Sequence, residues 1–427
     1  MALGVYIQVP FCQTKCTYCN FHTGVVSRDR YEPYASAICR EISASPFPAV
    51  GARHAVPDRA ILTGSSEFGG SVTEGGAPQN PLASADSAAR PDSIDTIYFG
   101  GGTPSLLESQ SLANILIALA SAYRFVEPEV TLEADPETIA SEKAGAWRTA
   151  GFNRISLGVQ SFNDRELQAT GRMHRCADID RAADILRASG FDNISMDLIA
   201  GLPHQTRESW ECSMAEILRL RPEHISIYML EIDEGSHLGK ESLAGGARYS
   251  AAAIPPDDAQ AEYYESACAR LAAEGYDHYE ISNWALPGRR SRHNQKYWQR
   301  LPYLGLGAGA HSFNGAIRWA NVHDSARYVA AIEQGISPRE QIERVTSEQA
   351  LEEEFFLGLR QLEGVDLARI ERDHATNGNG TSIRLATIRT QIESLRTQGL
   401  VALDGDRLRL SPNHLTISSS VLAELLR

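Results

Sequence analysis

The sequence has no apolar run near the ~20 residues that a membrane-spanning helix requires; its best, around residues 115–122, is far shorter. It shows no charged, apolar and cleavable leader, because Met1 runs almost directly into a strand-like segment, so a cytoplasmic protein is expected. Basic residues are in deficit, 40 Lys and Arg against 54 Asp and Glu, for a formal charge of -14. That balance argues against broad nucleic-acid binding. The dense, even cysteine set of a secreted disulfide scaffold is also missing, with seven cysteines in 427 residues. What is present, 43% hydrophobic and 22% charged residues, is the balance of an ordinary globular protein of two or three domains.

Short β-branched or apolar runs at 5–10, 94–99, 130–133, 154–160, 194–199 and 224–230 alternate with amphipathic stretches at 112–123, 139–150, 177–189 and 209–220. This alternation predicts βαβ units and a parallel sheet. Six units favour a full or partial barrel with its site at the strand C-terminal ends, a doubly wound open sheet being the alternative. Residues 46–93 interrupt the pattern. Twenty-seven of these 48 residues are Ala, Gly, Ser or Pro, a composition that reads as a flexible insertion. The βα rhythm stops near Ser312. Helix-like stretches at 352–362 and 383–398 then precede a hairpin over 400–410, around Asp404-Gly405-Asp406, and a last helix over 421–426. Residues 313–427 therefore read as a helical, winged-helix-like domain. Its acidic hairpin tip favours a cap over the barrel edge rather than DNA contact.

Cys39, Cys176, Cys212 and Cys268 are scattered singly and read as small buried apolar residues. Cys12, Cys16 and Cys19 are different. They lie within eight residues, directly after the first strand, in a Cys-x3-Cys-x2-Cys spacing. Three thiolates so spaced can ligate three irons of a [4Fe-4S] cluster and leave the fourth open. Structural zinc, with His22 as a fourth ligand, is the competing reading.

The cysteine string resembles that of the radical S-adenosylmethionine superfamily. Within it, Tyr6-Ile-Gln-Val-Pro-Phe-Cys12, Gly100-Gly-Gly-Thr-Pro104 and Gly201-Leu-Pro203 resemble the oxygen-independent coproporphyrinogen III oxidase family. His293-Asn-Gln-Lys-Tyr297-Trp298 is similar to a motif of its heme-chaperone branch. The resemblance implies a partial (β/α)6 TIM-like barrel over 1–45 and 94–312, interrupted by the insertion. It also implies a [4Fe-4S] cluster on Cys12, Cys16 and Cys19, and S-adenosylmethionine held by Tyr6, Tyr18, Gly101, Gly102, Thr103, Glu133, Gln160, Arg172 and Asp197. Of these, Glu133 suits ribose hydroxyls or the ammonium, Asp197 suits hydroxyls, and Arg172 suits the methionyl carboxylate.

Between Gly288 and Arg300, five residues are basic (Arg289, Arg290, Arg292, Lys296 and Arg300) and none is acidic. Such a patch can neutralise heme propionates, with His293 and Tyr297 one helical turn apart and Trp298 offering a stacking surface. These three are the expected heme contacts, with His311 ranked second. A satisfied core histidine on a solvated basic face is the bland alternative.

The family's oxidases carry a fourth cysteine two residues after the third and a longer segment before the cluster. Here Phe21 takes the place of that cysteine, and eleven residues precede Cys12. The resemblance therefore implies a heme chaperone that passes heme to acceptor proteins. It leaves room for a transient membrane-protein acceptor and a homodimer. Oxidative decarboxylation of coproporphyrinogen III is the alternative function.

Overall fold

The structure, a computed structural model, describes residues 2–44, 93–375 and 378–427. The insertion expected at 46–93 lies outside the described residues, apart from Ser93. Six parallel strands lie side by side in chain order: β1 (Leu3–Val9), β2 (Ser93–Gly101), β3 (Arg124–Ala134), β4 (Arg154–Gln160), β5 (Ile194–Ala200) and β6 (His224–Met229). The helices between them include Tyr31–Ala44, Ser109–Ala122, Ser141–Ala150, Cys176–Ala188 and Arg207–Leu220. This is the α/β arrangement expected from the alternation.

The sheet is not closed. β6 pairs on its far side with antiparallel β8 (Asn283–Ala285), and β7 (Asp277–Glu280) follows it. β1 takes β9 (Tyr303–Leu306) in parallel; β10 (His311–Phe313), β11 (Ile317–Asn321) and β12 (Arg339–Arg344) continue antiparallel. The barrel is therefore partial. The sheet also runs past Ser312, so the segment expected to start a separate unit at 313 contributes β11 and β12 to the main sheet.

The two faces of the parallel strands differ chemically. Val5, Ile7 and Val9 of β1 are buried in the main apolar core with Ile38 of the first helix and Ile97 and Phe99 of β2. The alternate residues are polar. Register sets Tyr6 beside Tyr98, Tyr98 beside Thr131, and Thr131 beside Arg154. One layer towards the strand C-termini, Glu133 lies beside Ser156 and Ser156 beside Ser195; Asp197 lies beside Ser226. Because side chains alternate along a strand, these residues share the face opposite the helices. The lumen is polar, unlike the layers of branched apolar side chains that fill a closed barrel.

Residues 347–425 form helices Ser347–Gly358, Leu367–His374, Asn379–Thr397 and Ser418–Leu425 with a small sheet. In that sheet the hairpin Val401–Asp404/Arg407–Leu410 pairs with Val365–Asp366. The hairpin turns at Gly405, whose φ of 58° is the left-handed conformation glycine adopts freely. This unit bridges the two flanks of the sheet, reaching β7 on one side and β11 on the other. The Ile281 N–H donates to the Arg360 carbonyl at 3.1 Å, the Leu362 N–H to the Tyr279 carbonyl at 3.2 Å, and Glu353 pairs with both Arg300 and Arg318.

The scattered cysteines are less buried than expected. Cys39, Cys176 and Cys268 are half-buried at the margins of the core and Cys212 is exposed, because all four lie on the flanks of surface helices. Among the described residues no helix is long and apolar enough to cross a membrane.

Candidate active site

The three clustered cysteines sit on the loop that leaves the C-terminal end of β1. That loop is fastened at its root: the Gly24 N–H donates to the Pro10 carbonyl at 2.9 Å and the Cys12 N–H to the Gly24 carbonyl at 3.1 Å. Its outer turn is held from two sides, by Thr17 N–H to the Thr170 carbonyl at 3.1 Å and Leu238 N–H to the Thr17 carbonyl at 2.8 Å. All three thiols are free and half-buried. Burial raises the pKa of the Cys12 and Cys16 thiols. Among the described residues no three His, Cys, Asp or Glu side chains could hold a single metal ion. A [4Fe-4S] cluster makes no such demand, since it spreads its cysteines over separate irons.

The glycine run at the end of β2 packs against this loop. The Gly102 N–H donates to the Val9 carbonyl at 2.8 Å and the Thr103 N–H to the Phe11 carbonyl at 2.7 Å. A Cβ on Gly102 would lie 2.4 Å from the Phe11 carbonyl oxygen, and one on Gly101 would meet the Gln8 side chain. The glycines thus let the cysteine loop press against β2, and only part of their backbone is left for a ligand.

Inside the rim, Glu133 accepts from the Tyr98 hydroxyl at 2.8 Å and from the Gly101 N–H at 3.1 Å. Among the described residues no arginine forms an ion pair with it. Burial, with Asp197 and Asp135 nearby, pushes its pKa up to about 7 against these two donors. Asp197 is raised to about 6 by burial, offset by Ser226, Arg154 and Arg172. Among the described residues Asp197 Oδ1, Thr131 Oγ1 and Arg154 Nε are buried without a hydrogen-bond partner. Such atoms are costly to leave unpaired, and a polar ligand in the lumen would satisfy them. Tyr6 lines the same space, its ring centroid 6.0 Å from that of Tyr98. Gln160 ends β4 with a φ of 67°, a strained conformation of the kind that gathers at functional sites.

Arg172 is placed differently from expectation. Its guanidinium pairs with Asp135, donates to the Gly158 carbonyl at 2.7 Å and lies 3.8 Å from the Cys16 sulfur. Asp135 also accepts from the Thr103 hydroxyl at 3.0 Å, so Thr103, Asp135 and Arg172 form a chain between the glycine run and Cys16. Tyr18 packs beside the apolar cluster of Ile199, Leu202 and Leu238. Sequence reasoning missed Tyr98 and Asp135. Their signal was the strand period: Tyr98 follows Thr96, and Asp135 follows Glu133, at two-residue spacing.

The expected heme segment lies at the opposite end of the strands. The helix Arg292–Trp298 meets the start of the sheet: Lys296 donates to the Ala2 carbonyl at 3.0 Å and pairs with Asp95 at 2.8 Å. His293 is 1% exposed. Its two ring nitrogens bond the Thr96 hydroxyl at 3.0 Å and the Tyr297 hydroxyl at 2.9 Å. Burial, with Lys296 and Arg154 nearby, lowers its pKa to about 3. Trp298 faces the C-terminal unit, with the Arg360 guanidinium 5.4 Å from its ring. Every cation of the segment has an acidic partner: Arg289 with Asp192, Arg290 with Asp277 and Glu363, Arg292 and Lys296 with Asp95, and Arg300 with Glu353. His293 and Tyr297 therefore plug the floor of the lumen, and the basic patch is neutralised by folding.

Comparison with known proteins agrees with this geometry. Residues 70–217 match the family model of the radical SAM superfamily, and residues 345–413 that of the HemN C-terminal domain. The heme chaperone HemW of Synechocystis sp. is 34% identical over 380 residues, covering 87% of this chain and 81% of that protein. The chain belongs to the HemW family. HemW of Bacillus subtilis is 31% identical, with 88% of each chain covered. Among solved structures, coproporphyrinogen III oxidase (HemN) from Escherichia coli, a radical SAM enzyme, superimposes with a TM-score of 0.76 at 20% identity. That match covers 99% of this chain and 90% of the oxidase. At this identity the match shows a shared fold, here the radical SAM arrangement of parallel strands and helices.

Proposed function

We propose that this chain is a cytoplasmic heme chaperone, which binds heme and passes it to acceptor proteins. In this reading Cys12, Cys16 and Cys19 hold a [4Fe-4S] cluster and the polar lumen holds S-adenosylmethionine. Membership of the HemW family supports the class. The observation that carries the choice between chaperone and oxidase is Phe21, which stands where the oxidases have a fourth cysteine.

When bound, an iron–sulfur cluster with an open iron supplies a site for chelating S-adenosylmethionine and a source of one electron. The protein supplies the rest. Glu133 and Asp197 offer carboxylate oxygens to hydroxyl or ammonium donors, and each would exchange its raised pKa for a ligand hydrogen bond. Tyr6 and Tyr98 wall the lumen, while the Thr103–Asp135–Arg172 chain steadies the Cys16 thiol. Arg172 would have to share or release Asp135 to meet a carboxylate.

Two assays on the anaerobic, cluster-loaded protein with S-adenosylmethionine test this reading. Heme-loaded protein should deliver heme to apomyoglobin, read by the shift of the heme absorption, while coproporphyrinogen III should remain unconverted. Turnover of coproporphyrinogen III to protoporphyrinogen IX would replace the chaperone reading with the oxidase.

A further inference from the structure

The lumen and its floor leave one group of imidazoles unexplained. His22 comes from the cysteine loop, His311 begins β10, and His323 follows β11. The three segments are far apart in sequence, yet the His22 and His323 ring centroids are 4.5 Å apart, and those of His311 and His323 are 6.5 Å apart. His22 and His311 are exposed. His323 is half-buried, and among the described residues its Nδ1 has no hydrogen-bond partner. Gly309, at a φ of 72°, makes room for that ring: a Cβ there would lie 3.0 Å from His323 Nδ1.

The surface around His22 is unusual for a solvent-facing loop. Phe21 is 66% exposed and Val25 is 61% exposed, so the short loop segment that carries His22 shows two apolar side chains to solvent. Lys15 donates to the Phe21 carbonyl at 3.5 Å and has no ion pair among the described residues. An imidazole, an apolar surface and an unpaired cation are the three features a heme needs: an iron ligand, a face for the macrocycle and a partner for a propionate. The segment at 289–300 offers none of these in free form.

We propose that heme docks on this rim beside the cysteine loop, with His22 as its single axial ligand and His323 as a positioning residue. The inference rests on the heme-binding function proposed above and moves the heme from the barrel floor to the rim. Two imidazoles that ligate one iron from opposite faces each point a ring nitrogen at it end-on, with the macrocycle lying between the two rings. His22 and His323 are too close to bracket it, so only one face of the iron is ligated from this pair. A ligating imidazole needs a partner for its other ring N–H, and His323, its ring centroid 4.5 Å from that of His22, is placed to serve. Single ligation leaves the second iron face open to an acceptor's ligand, which suits transfer.

The test is resonance Raman spectroscopy of the ferrous heme complex, with heme titration of each variant. Wild-type protein should show an iron–histidine stretch. His22→Ala should lose it and bind heme at least tenfold more weakly, and added imidazole should restore ligation. His323→Ala should keep the stretch at a shifted frequency, and His293→Ala should leave it unchanged. An unchanged stretch in His22→Ala, or its loss in His293→Ala, overturns the assignment while leaving the chaperone function standing. Absence of saturable heme binding by wild type overturns both. If His22→Ala loses its cluster, His22→Gln with added imidazole decides: restored ligation supports the assignment and its failure overturns it. Stoichiometric zinc binding that His22→Ala abolishes, with heme binding intact, would reassign the rim to a metal ion.

Discussion

At the scale of single residues, the lumen is built from groups that a ligand-free fold would avoid. Burial holds Asp197 at about 6 and Glu133 at about 7, above the ~4 of the same groups in an unfolded chain. The native state therefore binds more protons than the unfolded one between about pH 4 and pH 7, and stability falls as pH rises through that window. The double variant Glu133→Gln/Asp197→Asn removes this loss. Its thermal midpoint without ligand should match wild type near pH 4 and exceed it by a few degrees at pH 8, while binding of S-adenosylmethionine is lost. A double variant less stable than wild type at pH 8 would show that the carboxylates are held by protein partners instead. The thiols make a simpler prediction. Cys19→Ala should abolish the anaerobic cluster absorption and most of the bound iron, and full iron loading would remove Cys19 from the ligand set.

At the scale of elements, the same residue type does opposite things in two places. Gly102 ends up against the Phe11 backbone, where a Cβ meets the carbonyl oxygen at 2.4 Å. A backbone atom cannot swing aside as a side-chain tip can. Gly102→Ala should therefore unseat the cysteine loop and reduce iron incorporation at least twofold. Gly145, inside the helix Ser141–Ala150, has nothing within 4 Å of a built Cβ. Gly145→Ala should raise stability by about 0.5–1 kcal/mol through helix propensity alone, and a loss in urea unfolding would contradict the open space there.

The helix Arg292–Trp298 carries a third test at this scale. His293→Ala removes a buried ring and strands the Thr96 and Tyr297 hydroxyls. It should cost about 3 kcal/mol in urea unfolding. A loss below about 1 kcal/mol would mean that the floor is not held by this ring. His293 also weakens the protein on acidification. Its pKa of about 3 lies below the ~6.5 of an unfolded histidine, so its contribution is present above pH 6.5 and is lost as pH falls towards 3.

At the scale of the whole molecule, the parallel core was legible because its strands and helices carry different periods, and all six expected strands are present. The thiols were legible because spacing along one loop is local. What was not legible depended on contacts distant in sequence. The basic residues at 289–300 read as a free patch, yet Arg289, Arg290 and Arg300 find Asp192, Glu363 and Glu353 on other elements. His293 read as a heme contact because nothing in its neighbourhood reveals Thr96, 197 positions away. The sheet runs past Ser312 unannounced because β10 and β11 are short strands joined as an antiparallel hairpin and β12 is mostly charged, so none of them carries the apolar run that marks the parallel strands.

The resulting molecule has a cysteine rim at one end of a polar lumen, an aromatic plug at the other, and a C-terminal unit that bridges the two flanks of the sheet. Its proposed function depends most directly on heme. Anaerobic titration of the cluster-loaded protein with ferric heme, followed by difference absorption, measures this without reference to any acceptor. Saturable binding at a fixed heme-to-protein ratio, weakened in His22→Ala and retained in His293→Ala, is the expected result. A linear, non-saturating titration in the wild-type protein would contradict the chaperone function.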